Sequence, residues 1–403
     1  MSYTRREFIE TVSAAAAVTP VAGRFKPASP HDPLGVRDDF AVTRDWAYLD
    51  SPYITPSPRP AVEATRRFTE AKGDMPVSLG AMLEETDRVR ARYASLVGAT
   101  SEEVGLLFAT SEGENIVAGA LDLGPGDNVV IDDLHYETTF VLYRHLAETR
   151  GIDLRIVQSD GGAAPAEAFA PYVDERTRLV SVAWVSHQNG YHHDLAALAD
   201  LAHAHGAFLY SDAIQGIGML ELDVKRTPID FFTAGTYKWL LGGFGVAPFY
   251  VRRELLERVR LDRFGSLHIA EELGGHRFSL HEDARKYGYA TLAFGSVFQL
   301  GAALDYLLDV GVPAIEAHTV PLAHRIGGGL LEQGFTVDTP ADNRSAIVTF
   351  VPGVAPARLE ADLADRRIKV SLKEEGRRIR VGTALFNNDE DVDRFLELTA
   401  RWA

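Results

Sequence analysis

Apolar residues along this chain follow two rhythms. Short runs, apolar almost throughout, recur at residues 104–109, 128–131, 154–157, 179–185, 207–210, 231–234 and 246–251. Between them lie segments such as DLAALADLAHAHG, whose apolar positions fall three and four apart and which end in glycine. A run without polar alternation suits a strand buried on both faces, and the intervening amphipathic helices provide the two covers. The pattern predicts an α/β fold with a mostly parallel seven-stranded sheet sandwiched by helices. The segment before it, about 59–98, has helical spacing in LEETDRVRARYASLVGA, and the proline-rich SPHDPLG and SPYITPSPRP read as extended. From about 315 the order changes. AIVTFVPG, the helix PARLEADLADR, IKVSL, RRIRVG and a last helix predict a smaller C-terminal α+β domain over 315–403. The large domain then spans 61–314, preceded by an extended segment over 31–60.

Composition narrows the function classes. The chain has 403 residues, enough for a large core, with 46% hydrophobic and 24% charged residues. Its net charge of −16 repels phosphate backbones and anionic lipid, so nucleic acid and membrane surfaces are poor partners. No apolar run reaches the roughly 18 residues of a membrane span. Cysteine is absent, which excludes disulfides, thiolate metal sites and a cysteine nucleophile on this chain. The first 23 residues place Arg5 and Arg6 ahead of a mildly apolar, alanine-rich run. They resemble a twin-arginine export leader, so residues 1–30 are set apart from the fold and a periplasmic location is expected, with a cytoplasmic one as the alternative.

Candidate chemistry gathers where strands end, as ligand sites do in open α/β sheets. In LLFATSEGENIVAGAL a strand runs into Thr110, Ser111 and Glu112 and then opens a helix, a geometry suited to phosphate. VVIDDLHYETTF brings His135 or Tyr136 to the next strand end, either able to offer a ring face. VAWVSHQNGYHHD brings Ser186, His187, Gln188 and Asn189. Its neighbouring His192 and His193 point apart on regular structure, so no metal site is expected. Asp212 ends the strand of AFLYSDAIQGIG, with Gln215 three residues on, and a buried carboxylate there needs a positive partner. Lys238, in TAGTYKWLLGGFG, follows the next strand. A buried amine, a carboxylate, a phosphate cup and a stacking ring, at consecutive strand ends, are what pyridoxal 5'-phosphate requires. A desolvated lysine is a nucleophile and then a base.

These stretches, together with YLDSPYITPSP, YGYATLAFGSVFQLGAAL and RRIRVGTALFNNDEDVDRF, resemble the class V aminotransferase-fold enzymes of fold type I over about residues 45–403. That group includes cysteine desulfurases, kynureninase and isopenicillin N epimerase. The resemblance implies Lys238 as the Schiff-base lysine, Asp212 as partner of the ring nitrogen and Gln215 as donor to the phenolic oxygen. It also implies Tyr136 stacked on the ring, with Ser111, the Glu112 N–H and Tyr237 on the phosphate. Thr291 would come from the other subunit of a homodimer, and Arg380 would grip the substrate carboxylate. His187 stands where many relatives have asparagine. Gly235 replaces a frequent phosphate-binding serine, for which Thr233 or Thr236 would compensate. The expected activity is transamination of an amino acid, with epimerisation or C–S/C–C lysis as alternatives. A ligand-binding protein that kept the fold is the non-enzyme reading. With no cysteine to receive sulfur, a cysteine desulfurase is not expected.

Overall fold

The computed structural model describes residues 28–403, so the Arg5-Arg6 leader expectation lies outside the described residues. Seven strands form the central sheet: β1 (Val104–Leu107), β2 (Asn128–Asp132), β3 (Asp153–Val157), β4 (Thr177–Ala183), β5 (Phe208–Asp212), β6 (Phe231–Thr233) and β7 (Ala247–Val251). Across the sheet their order is β1-β7-β6-β5-β4-β2-β3. Every neighbouring pair is parallel except those of β7, which runs antiparallel to both β1 and β6. All residues of β1, β2, β6 and β7 are buried, as runs without alternation require.

Helices cover both faces. Thr110–Ala120 lies against the sheet so closely that a Cβ on Gly113 would stand 1.9 Å from the Thr233 hydroxyl oxygen, which is why that position is glycine. On the other side, Arg59–Asp74 and Leu79–Val97 pack with Phe294–Val310. Ser78 caps the second of these, its hydroxyl accepting from the Ala81 N–H, and Gly98 ends it in the left-handed conformation that glycine adopts without strain.

At Gly311 the chain turns by 78° into Val312–Glu332, and a four-stranded antiparallel sheet follows. Its strands include Ile347–Val351, Ser371–Lys373 and Arg378–Gly382. The proline-rich N-terminal stretch belongs with this unit: Ala47–Tyr48 pairs in parallel with Ile368–Lys369, and Ala47 and Leu49 join its core. Arg37, buried, holds Asp391 on the last helix at 2.8 Å. The hairpin of Ile269–Gly274 and Arg277–Leu280 has no counterpart in the apolar rhythm, because nearly all its residues are exposed. Among the described residues no single helix is long and apolar enough to cross a membrane.

Candidate active site

The C-terminal ends of β4, β5 and β6 open onto a cavity of about 350 Å³. The register puts Ala183, Asp212 and Thr233 side by side, so Asp212 stands at the middle of the three strand ends. Lys238 reaches the same cavity from the loop after β6, and Tyr136, Thr138, His187, Gln215, Tyr237, Thr110 and Ser111 complete much of the wall. Residues far apart in sequence meet here because each strand delivers its following loop to one edge of the sheet.

Lys238 and Asp212 are each 8% exposed. Burial pulls the lysine down to about 8, against the attraction of Asp212, so a substantial fraction is neutral amine near physiological pH. Burial pushes Asp212 up to about 6, against the Ile214 N–H that donates to it at 3.0 Å and against Lys238. The lysine shift corresponds to roughly 3 kcal/mol of bias toward the neutral form. A stability prediction follows with its sign. Because the folded amine binds its proton less tightly than the unfolded one, the penalty is full below pH 8 and is relieved as pH rises toward 10.5. Measured against Lys238→Met, the cofactor-free protein should therefore gain roughly 3 kcal/mol over that interval in urea titrations. A flat difference across the interval would contradict a desolvated amine.

The other expected residues are placed as follows. Tyr136 immediately precedes the helix Glu137–Arg150 and meets the His187 ring edge-on at 4.9 Å between centroids. His135, the alternative ring, turns inward: it is 1% exposed and bonded to Ser181 and the Tyr136 N–H. Ser111 lies 3.4 Å from the Thr138 hydroxyl at the mouth of the helix Thr110–Ala120. The Glu112 N–H, expected on a phosphate, donates instead to Ala109 O at 3.2 Å. Its carboxylate braces the loop, accepting from the Phe108 N–H (2.8 Å) and Arg263 (2.6 Å). Gln215 donates one amide hydrogen to Pro52 O and accepts from the Trp239 indole, both at 2.8 Å, which leaves one amide N–H. Tyr237 stacks on Phe244 at 4.6 Å, with the Lys238 amine 5.8 Å from its ring centre.

Neither Thr233 nor Thr236 lines the cavity. Thr236 donates to the Gly243 and Val246 carbonyls, which hold the glycine loop, so it does not replace the missing serine at Gly235. Thr110 does line the cavity, and its hydroxyl accepts from the Gly235 N–H at 2.9 Å. Thr291 is exposed and outside the cavity of its own chain. Arg380 is 3% exposed; it donates to His187 O (2.7 Å) and Ser371 (3.1 Å), and its Nε has no hydrogen-bond partner. Ser186, Gln188 and Asn189 staple loops by bonding Leu134 O, Asp133 O and Gly162 O. His193 pairs with Asp132 at 2.6 Å, and among the described residues no cluster suits a metal ion.

Sequence reasoning passed over Thr138 and Lys373. Thr138 sits in a helix start already singled out for its tyrosine. Lys373 lies in LKEEG, where a lysine beside two glutamates reads as solvated surface. Yet its charge helps lower Lys238, and Glu137 helps raise it.

A family model described as aminotransferase class-V matches residues 47–395. A probable cysteine desulfurase of Methanothermobacter thermautotrophicus is 32% identical over 301 residues, covering 72% of this chain and 74% of that protein. An uncharacterized aminotransferase, YcbU, of Bacillus subtilis is 32% identical over 237 residues, 59% of this chain and 62% of the other. The apo structure of the cysteine desulfurase from Thermococcus onnurineus superposes with a TM-score of 0.83 at 26% identity, covering 93% of this chain and 98% of that one. These relatives correct the expectation that the missing cysteine rules out a desulfurase. Chemistry at the α-carbon calls for a lysine and its cofactor, and a thiol that takes up sulfur need not lie on the same chain.

Pyridoxal 5'-phosphate is the cofactor of this family, and the residues present fit it. Lys238 supplies a buried amine of lowered basicity, Asp212 a buried carboxylate, and Tyr136 a ring at the cavity wall. Thr110 and Ser111 supply hydroxyls at a helix start, and Gly235 keeps the wall open: a Cβ there would meet Ile214 at 2.8 Å and Thr110 at 3.0 Å. Fold, cavity and the match over residues 47–395 agree, and the chain belongs to the class-V aminotransferase family of pyridoxal-phosphate enzymes.

Proposed function

We propose that the chain is a pyridoxal-phosphate-dependent lyase that cleaves the bond between the β-carbon and sulfur of a cysteine-type amino acid. The observation that carries this reading is the shared cavity of Lys238 and Asp212 in a chain whose relatives are named for removing sulfur from cysteine. Bound there, the cofactor supplies an electron sink for the α-carbon. Lys238, partly neutral near pH 8, takes and returns the α-proton. Asp212 holds positive charge opposite its carboxylate, Arg380 grips the substrate carboxylate, and His187 and Tyr136 close one wall. The chain contains no cysteine, so sulfur passes to a thiol from solution or departs as the thiol itself.

A homodimer belongs to the same reading: Thr291, exposed and away from its own cavity, is free to reach a partner's phosphate. Transamination, the activity expected from the residues alone, keeps the support of the Bacillus relative named as an aminotransferase.

The test incubates cofactor-loaded protein with cysteine, cystine, S-carboxymethylcysteine and alanine, with and without added dithiothreitol. Release of sulfide or thiol together with alanine, or with a 2-oxo acid and ammonia, is expected from at least one sulfur substrate. Amino-group transfer to an added 2-oxo acid without loss of sulfur would replace the lyase reading with transamination.

A further inference from the structure

The helix Thr110–Ala120 buries a glutamate where it packs on the sheet. Glu114 is 4% exposed and lies one turn beyond Thr110 and Ser111, whose hydroxyls line the cavity, but it does not line the cavity itself. Its partners are hydroxyls rather than a cation. Ser181 on β4 donates to Oε1 at 2.6 Å, and Thr139 donates to Oε2 at 2.8 Å. Both hydroxyls also meet His135. The Nδ1 of that ring accepts from the Tyr136 N–H at 2.8 Å, which places the proton of the neutral ring on Nε2. Nε2 stands 3.3 Å from Ser181 Oγ, and Thr139 Oγ1 stands 3.0 Å from Nδ1. The four side chains, all buried, thus close a ring whose exit is the main chain of Tyr136. Burial pushes the Glu114 carboxyl up to about 7, against the two donated hydroxyls and with the nearby charge of Asp212. Burial also pulls His135 down to about 4, so the imidazole is neutral. A buried carboxyl is costly, and an apolar side chain would cover the same surface without that cost. What the carboxyl adds is a fixed geometry among three elements: the helix of the phosphate end, β4 and the start of Glu137–Arg150.

We propose that Glu114 is a positioning residue for the cofactor: through Ser181, Thr139 and His135 it fixes the main chain of Tyr136, and so sets where the Tyr136 ring stands relative to the Thr110 and Ser111 hydroxyls of its own helix. The inference goes beyond the choice between lysis and transamination, since either reaction needs the cofactor held between the same ring and the same helix start.

The test reads cofactor affinity, by visible absorption, as pyridoxal 5'-phosphate is titrated into cofactor-free protein. Glu114→Leu is expected to weaken binding about tenfold, the effect of leaving a buried hydrogen-bond network unpaired. Glu114→Gln reproduces the shape and the donor of the protonated carboxyl and should stay within about threefold of the wild type. In a Tyr136→Ala background, where Lys238 and Asp212 still anchor the cofactor, Glu114→Leu should cost less than about twofold, because the group through which it acts is gone. If the leucine variant does not fold, Thr139→Val, close in shape, takes its place in both backgrounds, with a loss of about fivefold expected while Tyr136 is present. Equal losses in both backgrounds would make the network an ordinary strut of the helix and overturn the proposal. Unchanged affinity with Tyr136 present, or a glutamine variant as weak as the leucine one, would overturn it as well.

Discussion

Lys238→Ala is expected to lower the proposed C–S cleavage by at least about 10³-fold and to remove the change in visible absorption that accompanies cofactor binding, while the fold persists. No other amine reaches the 350 Å³ cavity among its lining residues, so no neighbouring group inherits the work. The fold should tolerate the change, since the ammonium is desolvated and its removal relieves an electrostatic cost. Circular dichroism and urea titration would establish that the variant is folded. Activity within tenfold of the wild type in such a protein would place the chemistry elsewhere. The same experiment separates the enzyme from a ligand-binding relative: a binder would lose affinity for its ligand but would show no substrate-dependent turnover before the substitution.

The sheet was legible because burial writes itself into composition. Runs such as 128–131 and 246–251 are apolar on both faces, and each became a buried strand. Direction was not legible. An apolar run reads the same in either sense, and only its connections reveal that Ala247–Val251 runs against its neighbours. The exposed hairpin at 269–280 escaped for the opposite reason, since it has no buried face to set a rhythm. Within the site, Lys238 and Asp212 were legible because a charged residue at the end of an apolar strand demands an explanation. Lys373 gave no such signal among its glutamates, and only the folded chain brings it beside Arg380. The polar cluster Ser186, Gln188 and Asn189 misled in the other direction. It looked like chemistry, but most of its bonds go to loop carbonyls. The closeness of the two units makes those staples necessary: at Gly190, in the left-handed region at φ 80°, a Cβ would stand 2.5 Å from Ile347 O.

Asp212→Asn should move activity and stability in opposite directions, which a merely structural carboxylate would not do. The amide keeps the shape of the side chain and can still accept from the Ile214 N–H, so the β5 end and its loop should hold. What is lost is the negative charge that faces the cofactor site, and the expected fall in kcat is about 10²–10³-fold, the scale of removing one preorganised electrostatic contact. The stability of the cofactor-free protein should rise. Asp212 titrates at about 6 in the folded state against an ordinary 3.8, so the folded carboxylate holds its proton more tightly than the unfolded one. Stability that depends on that proton is complete below pH 3.8 and is lost as pH climbs through 6, a difference of roughly 3 kcal/mol. Asparagine never ionises, so the gap between variant and wild type should open between pH 4 and 6 and stay level between there and neutrality. The chain tolerates that cost because the same burial that makes the charge expensive makes it effective against a cationic ring. A variant that is both slower and less stable at neutral pH would mean that Asp212 supports the strand end rather than the chemistry.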